Sequence, residues 1–210
     1  MKIYINKILF IFLLMITTPL YSQNGKCNTL LDRVIKEYDN SNGVSANFNI
    51  STKSNGYVSE IKGKIVLDGT KFAFTTDEME CGYDGKTLWT YIKNNEEINL
   101  SSPEDDEIIN INPYLLLKNY NTRFKCSFDS KNGDLETIIL SPKNTSDNIS
   151  SVKVTLNSKL LYPSIIEVMN KDNSKIVIKV LDYNNKTNID KSKFSFNEKQ
   201  YTNIEIIDLR

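Results

Sequence analysis

The sequence predicts a mainly β protein with a few helices: about eleven short antiparallel strands in a sandwich or barrel, with a small helical lid. Short apolar-alternating runs recur at close, regular spacing between clusters of Asn, Asp, Gly, Ser and Pro, the pattern of a sandwich or barrel. Helical periodicity is confined to two places. The third observation is the stretch Asp84-Gly85-Lys86-Thr87-Leu88-Trp89-Thr90-Tyr91, which holds the only Trp of the chain. Asp-Gly supplies the positive φ of a two-residue hairpin turn, and the aromatic run after it reads as strand. Leu88, Trp89 and Tyr91 offer more apolar surface than an exposed ribbon can leave in water. That strand covers a core or lines a cavity.

Residues 1–22 read as a secretory leader. Lys2 and Lys7 precede an apolar run from Ile8 to Ile16, and Ser22 supplies the small residue for cleavage before Gln23. The run is shorter than the roughly 20 apolar residues a spanning helix needs. Cys27 lies too far downstream to be a lipidation site, so the expected product is exported, soluble and unlipidated. One domain, residues 23–210, is expected, 188 residues long and large enough for a sizeable core.

The first helix is predicted from about Thr29 to Tyr38, where Leu30, Leu31, Val34, Ile35 and Tyr38 share one face and Asn28 would be the N-cap. Strands follow at Ala46–Ile50, Ile61–Leu67, Phe72–Phe74, Met79–Tyr83, Leu88–Tyr91 and Glu97–Leu100. A second helix is predicted over Ile108–Tyr120. Asn112 would be its N-cap and Pro113 its first residue, where Pro loses no hydrogen bond. Five more strands complete the count: Phe124–Phe128, Leu135–Leu140, Val152–Leu156, Ile165–Met169 and Ile176–Leu181. The run Glu104-Asp105-Asp106-Glu107 suits a solvated helix start facing the dipole, or a surface for a basic partner.

Strand parity assigns the faces. Lys62 and Lys64 point out, so Ile61, Ile65 and Leu67 point in. Glu167 sets Ile166 and Val168 inside, Lys179 sets Ile178 and Val180 inside, and Phe48, Phe72 and Phe74 join them. So many strands curl strongly, and two helices cover little of the concave side. A large apolar concavity under a small lid suits a carrier of hydrophobic ligands.

Composition narrows the function. The 26 basic and 26 acidic residues cancel and are interspersed, leaving no basic face for nucleic acid and no polybasic segment for a membrane surface. With no His, Ser–His and Cys–His nucleophiles and imidazole metal sites are excluded. Cys27, Cys81 and Cys126 lack metal-ligand spacing, no cofactor is expected, and an odd count leaves one thiol unpaired without choosing which. Asp68, Asp77, Asp84 and Glu97 could in principle form a hydrolytic pair, but each falls in or beside a turn, where Asp is favoured anyway.

Several motifs together resemble a known family. Asp84 to Tyr91 is similar to the hairpin Asp-Gly-Lys-Thr-Leu-Trp-x-Tyr of the periplasmic outer-membrane lipoprotein carrier family LolA. Gly63, Lys71, Phe72 and Phe74 resemble that family's glycine and aromatic-x-aromatic strand. Asn112-Pro113-Tyr114-Leu115-Leu116 resembles the start of its lid helix, Leu140-Ser141-Pro142-Lys143 its Leu-Ser/Thr-Pro-Lys corner, and Phe194-Ser195-Phe196 the Phe-x-Phe before its last strand. The resemblance spans about residues 28–208. It implies a monomeric periplasmic protein that takes acylated lipoproteins from an inner-membrane lipoprotein-releasing transporter to an outer-membrane acceptor. It also implies an incomplete antiparallel β-barrel closed by a helical lid, and it assigns Phe72 and Phe74 to an acyl-binding wall. Strand parity adds Phe48, Ile65, Leu67, Ile166, Val168 and Ile178 to that wall, the aromatic strand adds Trp89 and Tyr91, and Leu115 and Leu116 are expected on the lid. Ordinary core packing is the competing account of the aromatics and of Leu115 to Leu117. A lipid-binding sensor or general hydrophobic-ligand carrier on the same fold is the other functional reading. The chain departs from the family at one place: the Arg that latches the lid is replaced at Asp68 or Gly69, which predicts a mobile lid.

Overall fold

The computed structural model describes residues 20–104, 107–108, 112–144, 148–186 and 188–210. The expected leader lies outside them except for its last three residues, and Asp105 and Asp106 of the acidic run lie outside them as well. The chain opens with helix α1 (Leu20–Asp39). Six strands follow: β1 (Val44–Ser54), β2 (Tyr57–Asp68), β3 (Lys71–Thr76), β4 (Met79–Tyr83), β5 (Leu88–Ile92) and β6 (Glu97–Ser101). Two short helices, α2 (Pro113–Lys118) and α3 (Tyr120–Arg123), lead into β7 (Phe124–Asn132), β8 (Leu135–Pro142), β9 (Ile149–Asn157), β10 (Tyr162–Asn170) and β11 (Lys175–Asn184). The last strand, β12 (Glu205–Asp208), follows two 3-10 turns.

All twelve strands form one sheet, ordered β12-β6-β5-β4-β3-β2-β1-β11-β10-β9-β8-β7. β12 and β7 occupy opposite edges, so the barrel is not closed. Two expectations need correction. A twelfth strand joins the predicted eleven, and it pairs with β6 in parallel, Glu205 opposite Glu97 and Asp208 opposite Leu100. Four residues with two charged ends carry too little alternation to announce a strand.

Helix α1 is longer than predicted, because Asn28 does not cap it. Asn28 sits within the helix, and its side-chain oxygen accepts a hydrogen bond from Tyr120 Oη at 3.2 Å. The β4–β5 turn is also displaced by one residue. Its central pair is Gly85 and Lys86, with Gly85 at φ 103°. Asp84 instead precedes them, and its carboxylate accepts from the amides of Lys86 (3.0 Å) and Thr87 (2.9 Å), the Asx habit of the residue. The β1–β2 turn places Asn55 and Gly56 both at positive φ, the conformation that a tight primed hairpin requires.

The sheet carries apolar residues on both faces. On the concave side, α1 lays Cys27, Leu30, Leu31 and Val34 against Ile138, Leu140, Val152, Val154, Leu156 and Ile166. A disulfide between Cys27 and Cys126, 99 residues apart, fastens the helix to β7. Glu136 on β8 adds a polar tie, 2.8 Å from Lys131 Nζ and 3.8 Å from Lys26 Nζ. Its carboxyl is held below the ordinary range, first by the Lys131 hydrogen bond.

The convex side is covered by the C-terminal segment. Trp89, Ile98 and Leu100 pack there with Tyr91, Phe196, Tyr201, Ile204 and Ile206. Trp89 Nε1 donates to the carbonyl of Phe194 at 3.1 Å. Gly82 permits this contact, since a Cβ there would lie 2.4 Å from Trp89 Nε1 and 2.7 Å from the Lys193 carbonyl.

Loss of the disulfide, in a Cys27→Ser/Cys126→Ser variant, should cost about 4–5 kcal/mol by the loop-closure scale for a ring this long. Denaturant titration measures it, and thiol titration of the unreduced, unfolded wild type should find one thiol, Cys81. Glu136→Gln should lower stability at neutral pH. Because the folded carboxyl titrates below its unfolded value, the wild-type advantage is present above the unfolded value of about 4.3 and lost as pH falls through the folded one. Melting curves of the two proteins should therefore converge in acid.

Candidate functional site

Between the α1 core and the lid, the concave face stays open. The cavity there has a volume of about 480 Å³. β1, β2 and β3 supply one wall: Val44, Ala46, Phe48 and Ile50, then Ile61, Ile65 and Leu67, then Phe74. Ile166, Ile178 and Val180 on β10 and β11 supply the other, and Val34, Ile35 and Tyr38 of α1 complete the enclosure with Tyr114 and Leu117 of α2. Register explains the continuity of the wall. Ile50 lies opposite both Ile61 and Ile178, and Ile166 lies opposite Ile178, so one face of four neighbouring strands is apolar. Gly63 is opposite Phe48, and a Cβ on it would lie 2.6 Å from the Phe48 ring. The glycine lets that ring lie across β2.

Six of the predicted wall residues line this cavity: Phe48, Ile65, Leu67, Phe74, Ile166 and Ile178. The other four lie elsewhere. Phe72 is 0% exposed and packs within a core of Tyr38, Leu67, Cys81 and Tyr83. Trp89 and Tyr91 are on the convex face, and Val168 packs against the α1 core. On the lid, Leu115 packs toward the Phe72 core and Leu116 toward the α1 core, whereas Tyr114 and Leu117, three residues apart, meet the cavity. Ile50, Met79 and Ile92 were not singled out from sequence, although parity would have placed Ile50 inside with Phe48.

At the cavity's mouth Ile61 is 44% exposed, beside Glu78, Asn94 and Asn95, all exposed. The Lys93 ammonium lies 3.2 Å from Glu80 and donates at 2.8 Å to the carbonyl of Thr76, a residue of the cavity lining.

α2 is joined to α1 and to the β2–β3 turn by side chains other than arginine. Asn112 is 0% exposed. Its oxygen accepts from the Tyr114 amide at 3.0 Å as the helix cap, and its nitrogen donates to the Thr70 carbonyl at 3.3 Å. Tyr114 stacks on Tyr38 with ring centroids 3.6 Å apart. The Tyr114 hydroxyl donates to the Asp39 carboxylate, which Lys118 approaches to 3.3 Å. Tyr38 in turn donates to the Gly69 carbonyl at 3.1 Å. Burial, above all, raises both phenols, so both remain protonated donors at neutral pH. Asp68 itself is bound to Lys191 at 3.0 Å.

The family model for the outer membrane lipoprotein carrier protein LolA matches residues 20–172. The chain belongs to this family. No curated protein matches it. Among solved structures, an uncharacterized conserved protein from Thermus thermophilus superposes with a TM-score of 0.57 at 10% identity, covering 87% of this chain and 99% of its own. A putative outer membrane lipoprotein-sorting protein domain from Vibrio parahaemolyticus gives 0.47 at 10% identity, covering 85% and 99%. A LolA superfamily protein from Nitrosomonas europaea gives 0.45 at 10% identity, covering 81% and 97%. In this chain an apolar cavity lies between the lid helix and the sheet. Among the described residues, no helix is long and apolar enough to cross a membrane.

Asn112→Ala removes both the helix cap and the tie to Thr70, and should weaken lid closure by about 1–2 kcal/mol. Amide exchange over residues 114–118 should then quicken at least several-fold, with β8 and β9 unchanged.

Proposed function

We propose that this protein is a periplasmic carrier that holds acyl chains of lipoproteins in the cavity and ferries them from the inner to the outer membrane. The observation that carries the reading is the cavity itself, an apolar concavity bounded by a latched two-turn lid on a LolA-family fold. Burial of a long chain supplies affinity at about 0.8 kcal/mol per methylene without any polar contact. A lining that includes Phe48, Ile65, Phe74 and Ile178 supports that reading. An inner-membrane releasing transporter is the expected donor and an outer-membrane acceptor the recipient. The protein acts by binding rather than catalysis: Asp68 is paired with Lys191, Asp84 caps a turn and Glu97 accepts from Asn99, so these carboxylates serve local structure at separate places.

The protein lacking its leader, added to spheroplasts, should release a triacylated lipoprotein into the soluble fraction as a one-to-one complex. Absence of release, with a smaller lipid found bound instead, would replace this reading by a general lipid carrier or sensor. Phe74→Glu should abolish binding of a fluorescent fatty acid while leaving far-ultraviolet circular dichroism near wild type. Phe72 gives the contrast. Because it lies in a closed core, Phe72→Ala should cost about 3–5 kcal/mol of stability and leave the cavity wall in place.

A further inference from the structure

We propose that the β1–β2 hairpin and the lysine face beside it dock on an anionic lipid bilayer and bring the cavity mouth to the membrane. β1 and β2, of 11 and 12 residues, outrun their neighbour. β3 ends at Thr76, opposite Gly63, so Tyr57 to Lys62 have no strand beyond them, and all six are exposed. Past the Asn55-Gly56 turn, Tyr57 is 82% exposed and Val58 62%. Leaving an aromatic and a branched aliphatic side chain in water forgoes the free energy of burying them. The boundary between headgroups and acyl chains suits this tip, because it takes both the apolar ring and the polar hydroxyl of a tyrosine.

Charge selects the lipid. Lys62 and Lys179 both stand opposite Asn49, on either side of β1, while Lys64 follows two residues along β2 and Lys53 stands opposite Val58. Alternation puts these four on the convex face, away from Ile50, Ile61 and Ile178. Along the chain each lysine is flanked by uncharged residues, so no segment is polybasic; strand pairing gathers them. All four are exposed, and among the described residues none has an ion-pair partner, whereas Lys175 on the same face holds Glu167 at 2.5 Å. The carboxylates beside them are Glu60 and Asp182, the latter accepting from Asn47 at 2.7 Å, so positive charge is in excess. Leu181, 49% exposed, joins this face opposite Asn47. The apolar tip favours a bilayer over an acidic protein as the partner, and so does the place of the mouth. Ile61 is three residues from Val58, about 10 Å along an extended strand. With the tip among headgroups, an acyl chain passing between bilayer and cavity crosses little water.

The test is co-sedimentation of the leaderless protein with phosphatidylcholine vesicles, with and without phosphatidylglycerol. Binding should require phosphatidylglycerol and weaken steeply as salt is raised. At roughly fivefold per lysine, Lys62→Gln/Lys64→Gln/Lys179→Gln should lower the partition coefficient about a hundredfold at low salt. Tyr57→Ser/Val58→Ser should lower it about tenfold. Both variants should still bind a fluorescent fatty acid as the wild type does, because none of these five residues lines the cavity. Docking and acyl binding therefore fail separately. Equal binding to neutral and anionic vesicles, or binding unchanged in either variant, would overturn the proposal. Absence of vesicle binding by the wild type would overturn it as well, and would leave the lysine face to an acidic protein partner.

Discussion

The architecture depends on how one amphipathic helix sits in a sheet too wide for it. Twelve twisted strands curl into a deep trough, and α1 can fill only the part over β7 to β10. Its stripe of Cys27, Leu30, Leu31 and Val34 meets the inward rows of β8 and β9 there. From Val34 onward the helix is also wall: Val34, Ile35 and Tyr38 line the open space, while Tyr38 closes its far end by packing with Val44 and Leu67. The cavity is what remains between the helix and the far half of the trough. A longer second helix would fill it; α2 has six residues and spans only one end. The disulfide matters for the same reason, since it fixes where α1 stops filling.

Much of this could be read from the sequence because period-2 alternation reports faces directly. The inward assignment of Ile61, Ile65, Leu67, Ile166 and Ile178 needed only the lysines and glutamate between them, and Asn112-Pro113 announced its helix through capping chemistry alone. Parity names a face, however, without saying what covers it. Trp89 and Tyr91 alternate as well as Phe48 does, yet their cover is the C-terminal segment. Its apolar residues come in two short pieces, Phe194-x-Phe196 and Ile204-x-Ile206, with polar Asn197 to Gln200 between them, too short to announce what they cover. Phe72 shows the same limit along a strand. It shares the inward face of Phe74, but the lid and Tyr83 close over its end of the trough, leaving Phe74 beside the open part.

The latch shows one geometric need met by different chemistry. A lid over an apolar cavity must be held by groups that do not fill the cavity, so its ties belong at the rim. Here the acceptors are main-chain carbonyls of Gly69 and Thr70 in the β2–β3 turn, which persist whatever side chain occupies the turn. The donors are Tyr38 and Asn112 from α1 and the start of α2. The Tyr114–Asp39–Lys118 group then joins the lid to the end of α1. A search of the turn for an arginine could not detect this arrangement, because the donors lie about 30 residues before it and 42 after it in sequence.

The open half of the trough has an energetic consequence. Ile50, Phe74 and Ile178 line it without the close packing that α1 gives to the inward rows of β8 and β9, so this half contributes less dispersion energy than the other. The fold draws stability from elsewhere, from the covalent tie at α1 and from a second apolar layer on the convex face. An apolar occupant of matching shape would add to this wall the contacts that the helix supplies on the far side, and that gain is the free energy available for binding.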